Sequence, residues 1–305
     1  MSTGGDEYVL RSGDYTAIIT QVGAGIRRLR HGKRDLILDY PAEQVRPRFR
    51  GALVAPWPNR IADGRYSFGG EELQLSLNEP ERNTALHGLI SWVRFDVVEQ
   101  NESAVTLRHR LVPQQGYPFQ VELSARYSLR ASGLTCAVTA HNVGGQPAPY
   151  GTAPHPYLRA DGGGVDDWAL RLPAEEVLQV TPDRLLPTGR APVADVGMDF
   201  RSRRRLEGAQ IDHAFTRLTP DPDGLVRARL THDERIGVEC EWDPGVLPWV
   251  QVHTADLPDP AQSRRGLALE PMTCPPDAFN SGEDVVILEP GGEHTAWWTL
   301  RVCAP

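Results

Sequence analysis

The sequence predicts an all-β protein, a large antiparallel β-sandwich, on three observations. Hydrophobic residues recur with period two, the spacing that sends alternate side chains to opposite faces of a strand. The 29 glycines and 26 prolines are spread along the 305 residues, cutting the chain into many short elements. No stretch of about 12 residues carries the apolar repeat of a helix, and no internal repeat is visible.

In chain order, "TAIIT" (16–20) and "DLILDY" (35–40) open the series as short apolar runs. In "AVTLRHRL" (104–111), Val105, Leu107, His109 and Leu111 share one parity. "VELSARYSL" (121–129) alternates through Val121, Leu123, Ala125, Tyr127 and Leu129. The turn "RASG" follows, and Leu134, Cys136, Val138 and Ala140 alternate again. Three such runs joined by short turns predict an antiparallel meander with one wet face. Further strands are expected at "GLVRARL" (224–230), "GVECEW" (237–242), "WVQVH" (249–253), "DVVIL" (284–288) and "AWWTLRV" (296–302). "ADGGGVDD" (160–167) and "TPDPDG" (219–224) read as loops rather than linkers because similar strands flank them. The chain is therefore expected to form one domain over 1–305.

Lys and Arg number 32 against 40 Asp and Glu, a net charge of −8. That balance speaks against a nucleic-acid partner, whose phosphates need a basic face. The start "MSTGGDEYVL" lacks a basic stretch leading an apolar run, and no apolar run nears the ~20 residues of a membrane helix. Cys136, Cys240, Cys274 and Cys303 lie far apart without a C-x-x-C pair, as expected of reduced thiols packed as small hydrophobes. A cytoplasmic protein is expected, a monomer or homodimer with a small-molecule partner.

Five polar residues stand beside Pro, Gly and aromatic residues, where function concentrates. Arg60 follows Asn59 in "APWPNRIADGRYSFGG" (55–70); its fork could hold oxygens, or make a surface ion pair. His87 in "NTALHGLISW" (83–92) precedes Gly88, whose missing side chain could admit a ligand; a structural hydrogen bond is the plainer reading. His155 in "PAPYGTAPHPYLRAD" (147–161) sits between two prolines that stiffen its backbone, as a loop crossing the end of a sandwich would also be. Asp212 in "IDHAF" (211–215) reads as a turn former or a ligand contact. Glu270 in "GLALEPMTCPPDAFNSG" (266–282) reads as ending an apolar strand, where burial would raise its pKa and suit it as a base. The alternative is a buried Glu tied to an Arg. Gln251 and His253 share a face in "PWVQVHT". His31, His109, His232 and His294 are expected to face water. "FRSRRRL" (200–206), the one basic run, reads as a solvated loop or as an anchor for a phosphate or sulfonate.

Together, "PNRIADGRYSFGGEELQL", "NTALHG", "APHPYL", "DHAF", "PWVQVHT" and "LEPMTCPPDAFN" resemble the aldose 1-epimerase, or galactose mutarotase-like, family in that order. The resemblance implies the large β-sandwich of that family and an isomerase that interconverts the α and β anomers of an aldose. It implies Glu270 as general base and His155 as general acid. Arg60, His87 and Asp212 would hold the sugar, with Asn59 and Gln251 as further contacts. The family's galactose enzymes carry Phe-Asn where this chain has Tyr157-Leu158, which leaves the sugar open.

The chemistry implied breaks the C1–O5 bond while a proton leaves O1 and another reaches O5. The aldehyde then rotates and recloses. Such a reaction asks for one base and one acid and for no metal or cofactor. Glu270 is expected ionised and His155 protonated, facing each other across a gap about one pyranose wide. Trp57 and Trp92 could pack on the sugar's C–H face, or belong to the core. Four other readings compete: an epimerase of a phosphorylated or sulfonated sugar, a non-catalytic carbohydrate-binding protein, a metal site, and glycoside hydrolysis by Asp212 and Glu270.

Overall fold

The computed structural model describes residues 2–233 and 235–304. Strands dominate it, and the longest helix, Ala278–Ser281, has four residues. Among the described residues, no helix is long and apolar enough to cross a membrane.

The predicted meander forms the heart of a nine-stranded antiparallel sheet. Ala104–Leu111, Val121–Arg130 and Gly133–Asn142 are successive neighbours in it, followed by Glu293–Cys303 and Arg235–Trp242. Burial alternates residue by residue along Val121–Arg130, as the period-two pattern requires. A six-stranded sheet runs in the order Tyr157–Leu158, Leu267–Met272, Trp249–His253, Asp212–Leu218, Ala174–Val180, Pro187–Pro192. One apolar cluster draws Leu123, Tyr127, Cys136, Val238 and Trp298 from the first sheet and Val177, Phe215, Val250, Val252, Leu267 and Leu269 from the second. This is the sandwich core. Leu269 is fully buried in it, so Leu269→Ala should cost about 2–5 kcal/mol, read as a lower urea midpoint.

The six-stranded sheet is also covered on its other face. Val54, Ala153, Leu178, Ala214, Trp249 and Met272 form a second, smaller cluster there. Every residue of Leu267–Met272 is consequently buried. Glu270 is therefore an interior position of a doubly covered strand, and the strand runs on through Pro271 and Met272.

Two expected strands are shorter than their apolar runs. In "DLILDY" only Asp35 belongs to a strand, Arg34–Asp35. Leu36 donates its N–H to Leu29 O and Leu38 to Tyr157 O, so the run is a crossing between sheets with Leu36 and Ile37 buried. In "DVVIL" the strand is Val286–Leu288, paired with Ala148–Tyr150. The four histidines expected to face water are all partly buried, and His109 and His232 hold backbone oxygens of Arg94 and Asp161 through Nδ1, at 2.9 and 2.8 Å.

Candidate active site

Strand parity builds one wall of the site. Leu269, Val250 and Val252 turn to the core, so Glu270, Gln251 and His253 point the other way. Register then aligns them: Gln251 lies opposite Glu270, and Asp212 opposite His253. Asp212 opens the strand Asp212–Leu218, where the turn reading would have put it in a loop. Its Oδ1 accepts from Gln251 Nε2 at 2.7 Å.

The facing wall comes from two short strands, Arg60–Ala62 and Thr84–Leu86, and the residues beside them. Asn59 and His87 both adopt left-handed backbone, at φ 55° and 61°. Such a conformation is unfavourable for His and is held here by reciprocal bonds. His87 N donates to Asn59 O at 2.9 Å, and Asn59 N donates to His87 Nδ1 at 3.3 Å. Because Nδ1 accepts, the ring proton of neutral His87 sits on Nε2. Gly88 does not make room for a ligand. A Cβ there would lie 2.0 Å from Ala55 O, so the glycine admits the protein's own backbone.

Arg60 combines both expected readings. Its Nε and Nη2 donate to Glu79 at 2.7 and 2.9 Å, and the pair is buried rather than on the surface. Glu79 also accepts from Thr84 Oγ1 at 2.6 Å. Burial pushes Glu79 upward, but the Arg60 bonds outweigh it and its pKa falls. Burial likewise opposes the charge on Arg60, but Glu79 and the nearby Asp212 carboxylate outweigh it and its pKa rises. Removing one partner of such a buried pair strands the other. Glu79→Ala should cost about 3–5 kcal/mol of stability, with a raised KM for sugar, measured by urea unfolding and initial rates.

His155 is fixed by backbone bonds, donating its N–H to Ala52 O and accepting from Gly51 N, at 2.9 and 2.8 Å. Its ring stacks on Tyr157 at 5.4 Å and meets His87 edge-on at 4.9 Å. Nε2 lies 3.3 Å from Glu270 Oε1. That direct contact replaces the expected pyranose-wide gap, and the geometry suits the chemistry better. O1 and O5 hang from the same carbon, so groups serving them must stand side by side. His155 Nδ1, Glu270 Oε2 and Gln251 Oε1 are buried with no partner among the described residues.

All seven candidate residues, Asn59, Arg60, His87, His155, Asp212, Gln251 and Glu270, line one cavity of about 350 Å³. That is the size class of a small-ligand site. Burial lowers His155 to a pKa of about 3, and holds His87 well below the usual imidazole range with help from His155. Burial also raises Glu270 well above the ordinary carboxylate, with Asp212 adding and Arg60 opposing. Burial thus opposes the ionised Glu270 and protonated His155 expected from sequence. Burial favours a neutral pair sharing one proton.

Sequence reasoning missed the aromatic side of the cavity. Phe49, in "RPRFRG", lies 4.8 Å from His87 and 6.2 Å from His155, ring centre to ring centre, and lines the cavity with Tyr157. Arg48 and Phe49 are two successive left-handed residues, the kind of backbone that gathers at functional sites. Trp57 is core, its Nε1 on Ala85 O at 3.2 Å, and Trp92 is half exposed against Phe49. Neither lines the cavity. "FRSRRRL" lies elsewhere, at the far edge of the nine-stranded sheet. There Arg201 pairs with Asp199 and Glu175, and Arg205 with Asp233, so it anchors nothing in the cavity.

His87, His155 and Glu270 place ligand atoms within 4.8 Å of one another, close enough for a metal. Metal-bound histidines usually donate their other ring N–H to a fixed acceptor. Here His87 Nδ1 receives a hydrogen bond and His155 Nδ1 has no partner, an arrangement suited to sugar oxygens rather than to a metal.

A family model described as Aldose 1-epimerase matches residues 6–301. An Escherichia coli K12 protein named "Uncharacterized protein YihR" is 35% identical over 302 residues, covering 98% of this chain and 94% of that one. The galactose mutarotase of Mus musculus is 29% identical over 338 residues, covering 97% and 94%. Among solved structures, a GalM/aldose epimerase homologue from C. elegans superposes with a TM-score of 0.87 at 21% identity, covering 98% and 99%. That last likeness shows the fold.

Proposed function

The chain belongs to the aldose 1-epimerase family, a family of isomerases, and from that premise we propose that Glu270 and His155 open and reclose the ring of a free aldose by passing protons. The observation that carries this reading is the buried 3.3 Å contact between His155 Nε2 and Glu270 Oε1 on a wall of the cavity.

The pair needs one proton in total. With Glu270 ionised and His155 protonated, the carboxylate takes the proton from O1 while the imidazolium gives its proton to O5. The C1–O5 bond breaks, leaving an aldehyde, a neutral carboxyl and a neutral imidazole. That neutral pair is the protonation state burial favours. Rotation about C1–C2 turns the other aldehyde face to O5. The carboxyl then protonates the carbonyl oxygen as the imidazole takes the O5 proton, and the starting charges return. Each positioned transfer is worth about 10²- to 10⁴-fold.

Around them, Arg60 donates to ring oxygens through the edge Glu79 leaves open, and His87 donates through Nε2. Asp212 and Gln251, already bonded to each other, present acceptors to hydroxyls. Phe49 and Tyr157 supply apolar faces for the C–H side of the ring. A galactose-like aldohexose is one candidate, following the name of the mouse relative, a galactose mutarotase. The thiols of Cys136, Cys240 and Cys274 are buried and unpaired, which supports a cytoplasmic setting. Polarimetry or NMR anomer exchange over a panel of aldoses tests the function. Accelerated equilibration supports it, and tight binding without acceleration would favour a carbohydrate-binding protein.

A further inference from the structure

A second cavity, about 540 Å³, adjoins the first, with Arg48 and Leu257 lining both. Arg48, Arg50 and Arg265 all face it, and among the described residues none has a carboxylate within 4.0 Å. Its acids are otherwise engaged. Asp39 pairs with Arg28 at 2.8 Å, and Asp259 Oδ1 accepts from Ala261 N at 3.0 Å within its own turn.

Arg50 is the built element. Its Nη1 donates to Asp39 O at 2.9 Å, its guanidinium lies 5.6 Å from the Tyr157 ring, and its Nε is buried with no partner among the described residues. Tyr157 in turn stacks on His155, so one ring separates this cation from the reacting pair. Burial lowers the pKa of Arg50, with Tyr157 and Asp39 opposing it only in part. Arginine forks suit the planar or tetrahedral oxygens of carboxylate, phosphate and sulfonate. Neutral hydroxyls would not call for three unpaired cations.

We propose that this second cavity binds an anionic group carried by the aldose at the end of the molecule far from C1. The proposal rests on the epimerase reading above and names the substrate class of that site: an aldose with a carboxylate, phosphate or sulfonate at C6. Arg48, at the shared wall, reaches the group first, and Arg50 and Arg265 complete its shell. This places the anchor in a different part of the chain from "FRSRRRL", where it is the alternative to a solvated loop.

The test compares mutarotation of glucose, glucuronate, glucose 6-phosphate and glucose bearing a C6 sulfonate, using wild type, Arg50→Gln and Arg265→Gln. At least one anionic sugar should exceed glucose in kcat/KM by about tenfold at low ionic strength, an advantage that shrinks with added salt. Arg265 lines only the second cavity and is exposed. Arg265→Gln should lower kcat/KM for the preferred anionic sugar by about tenfold and leave glucose unchanged. Arg50→Gln should raise KM for the anionic sugar more than kcat falls. The preferred sugar identifies the anion. Glucose turned over as well as every anionic sugar, or Arg265→Gln slowing both alike, would overturn the proposal while leaving the epimerase reading intact. A neutral disaccharide preferred over glucose and indifferent to Arg265→Gln would also overturn it. Failure to turn over any aldose, neutral or charged, would remove the epimerase reading and this one with it.

Discussion

Glu270→Gln is expected to lower kcat for mutarotation by about 10²- to 10⁴-fold and, at the same time, to raise the melting temperature near pH 8. The two effects share a cause. Glu270 lies on a strand covered on both faces, and burial pushes its pKa well above the ordinary 4.5. A carboxyl raised on folding supports the folded state fully below pH 4.5 and loses that support as pH rises through the folded value. At neutral and alkaline pH the wild type therefore carries a strained site, a common bargain in enzymes. Gln keeps the shape and removes the charge. The gain in melting temperature should be largest at high pH and should close as pH falls toward 4.5. Wild-type equilibration rates in the variant would remove Glu270 from the base role. A melting temperature that drops equally at every pH would contradict the burial argument.

His155→Asn carries the second large effect, again about 10²- to 10⁴-fold in kcat. Its pH profile is the sharper reading. The wild-type pair works while it holds one proton, so kcat/KM should fall on both sides of a broad plateau. Loss toward acid reflects a second proton reaching the pair, opposed by the burial that lowers His155 to about 3. Loss toward alkali reflects departure of the shared proton, held above the usual carboxylate range. Because the groups are in contact, both limbs belong to the pair rather than to either residue. Asn cannot take the proton, so the variant should show one limb. A variant with the wild-type two-limbed profile would exclude His155.

Much of this was legible in the sequence, and the exceptions have physical reasons. Val121–Arg130 and Gly133–Asn142 were readable because one covered face imposes strict alternation. "DLILDY" was misread because an apolar run crossing between two sheets has the composition of a strand without its ladder. The strand through Glu270 reads as ending at the acid, since only its second cover, from Val54, Ala153 and Trp249, makes the next two residues interior. The motifs pointed to the seven cavity residues, but their meeting depends on register, Gln251 against Glu270 and Asp212 against His253, which no local pattern encodes. Arg60 was singled out without its partner, because Glu79 stands 19 residues away in a polar loop. The 3.3 Å spacing of Glu270 and His155 has no local signature, since the motifs do not say whether a sugar lies between the two groups or above them. Phe49 had only its flanking arginines and a following glycine to mark it.

The central claim is that an anomeric carbon sits directly against the Glu270–His155 pair. The most direct measurement is a crystal structure of Glu270→Gln with an aldose bound. The account predicts O1 and O5 of the sugar each within about 3.2 Å of the residue 270 side chain or His155 Nε2, with Phe49 or Tyr157 against the C–H face. A sugar held with C1 turned away from both groups, or bound in another cavity altogether, would contradict it.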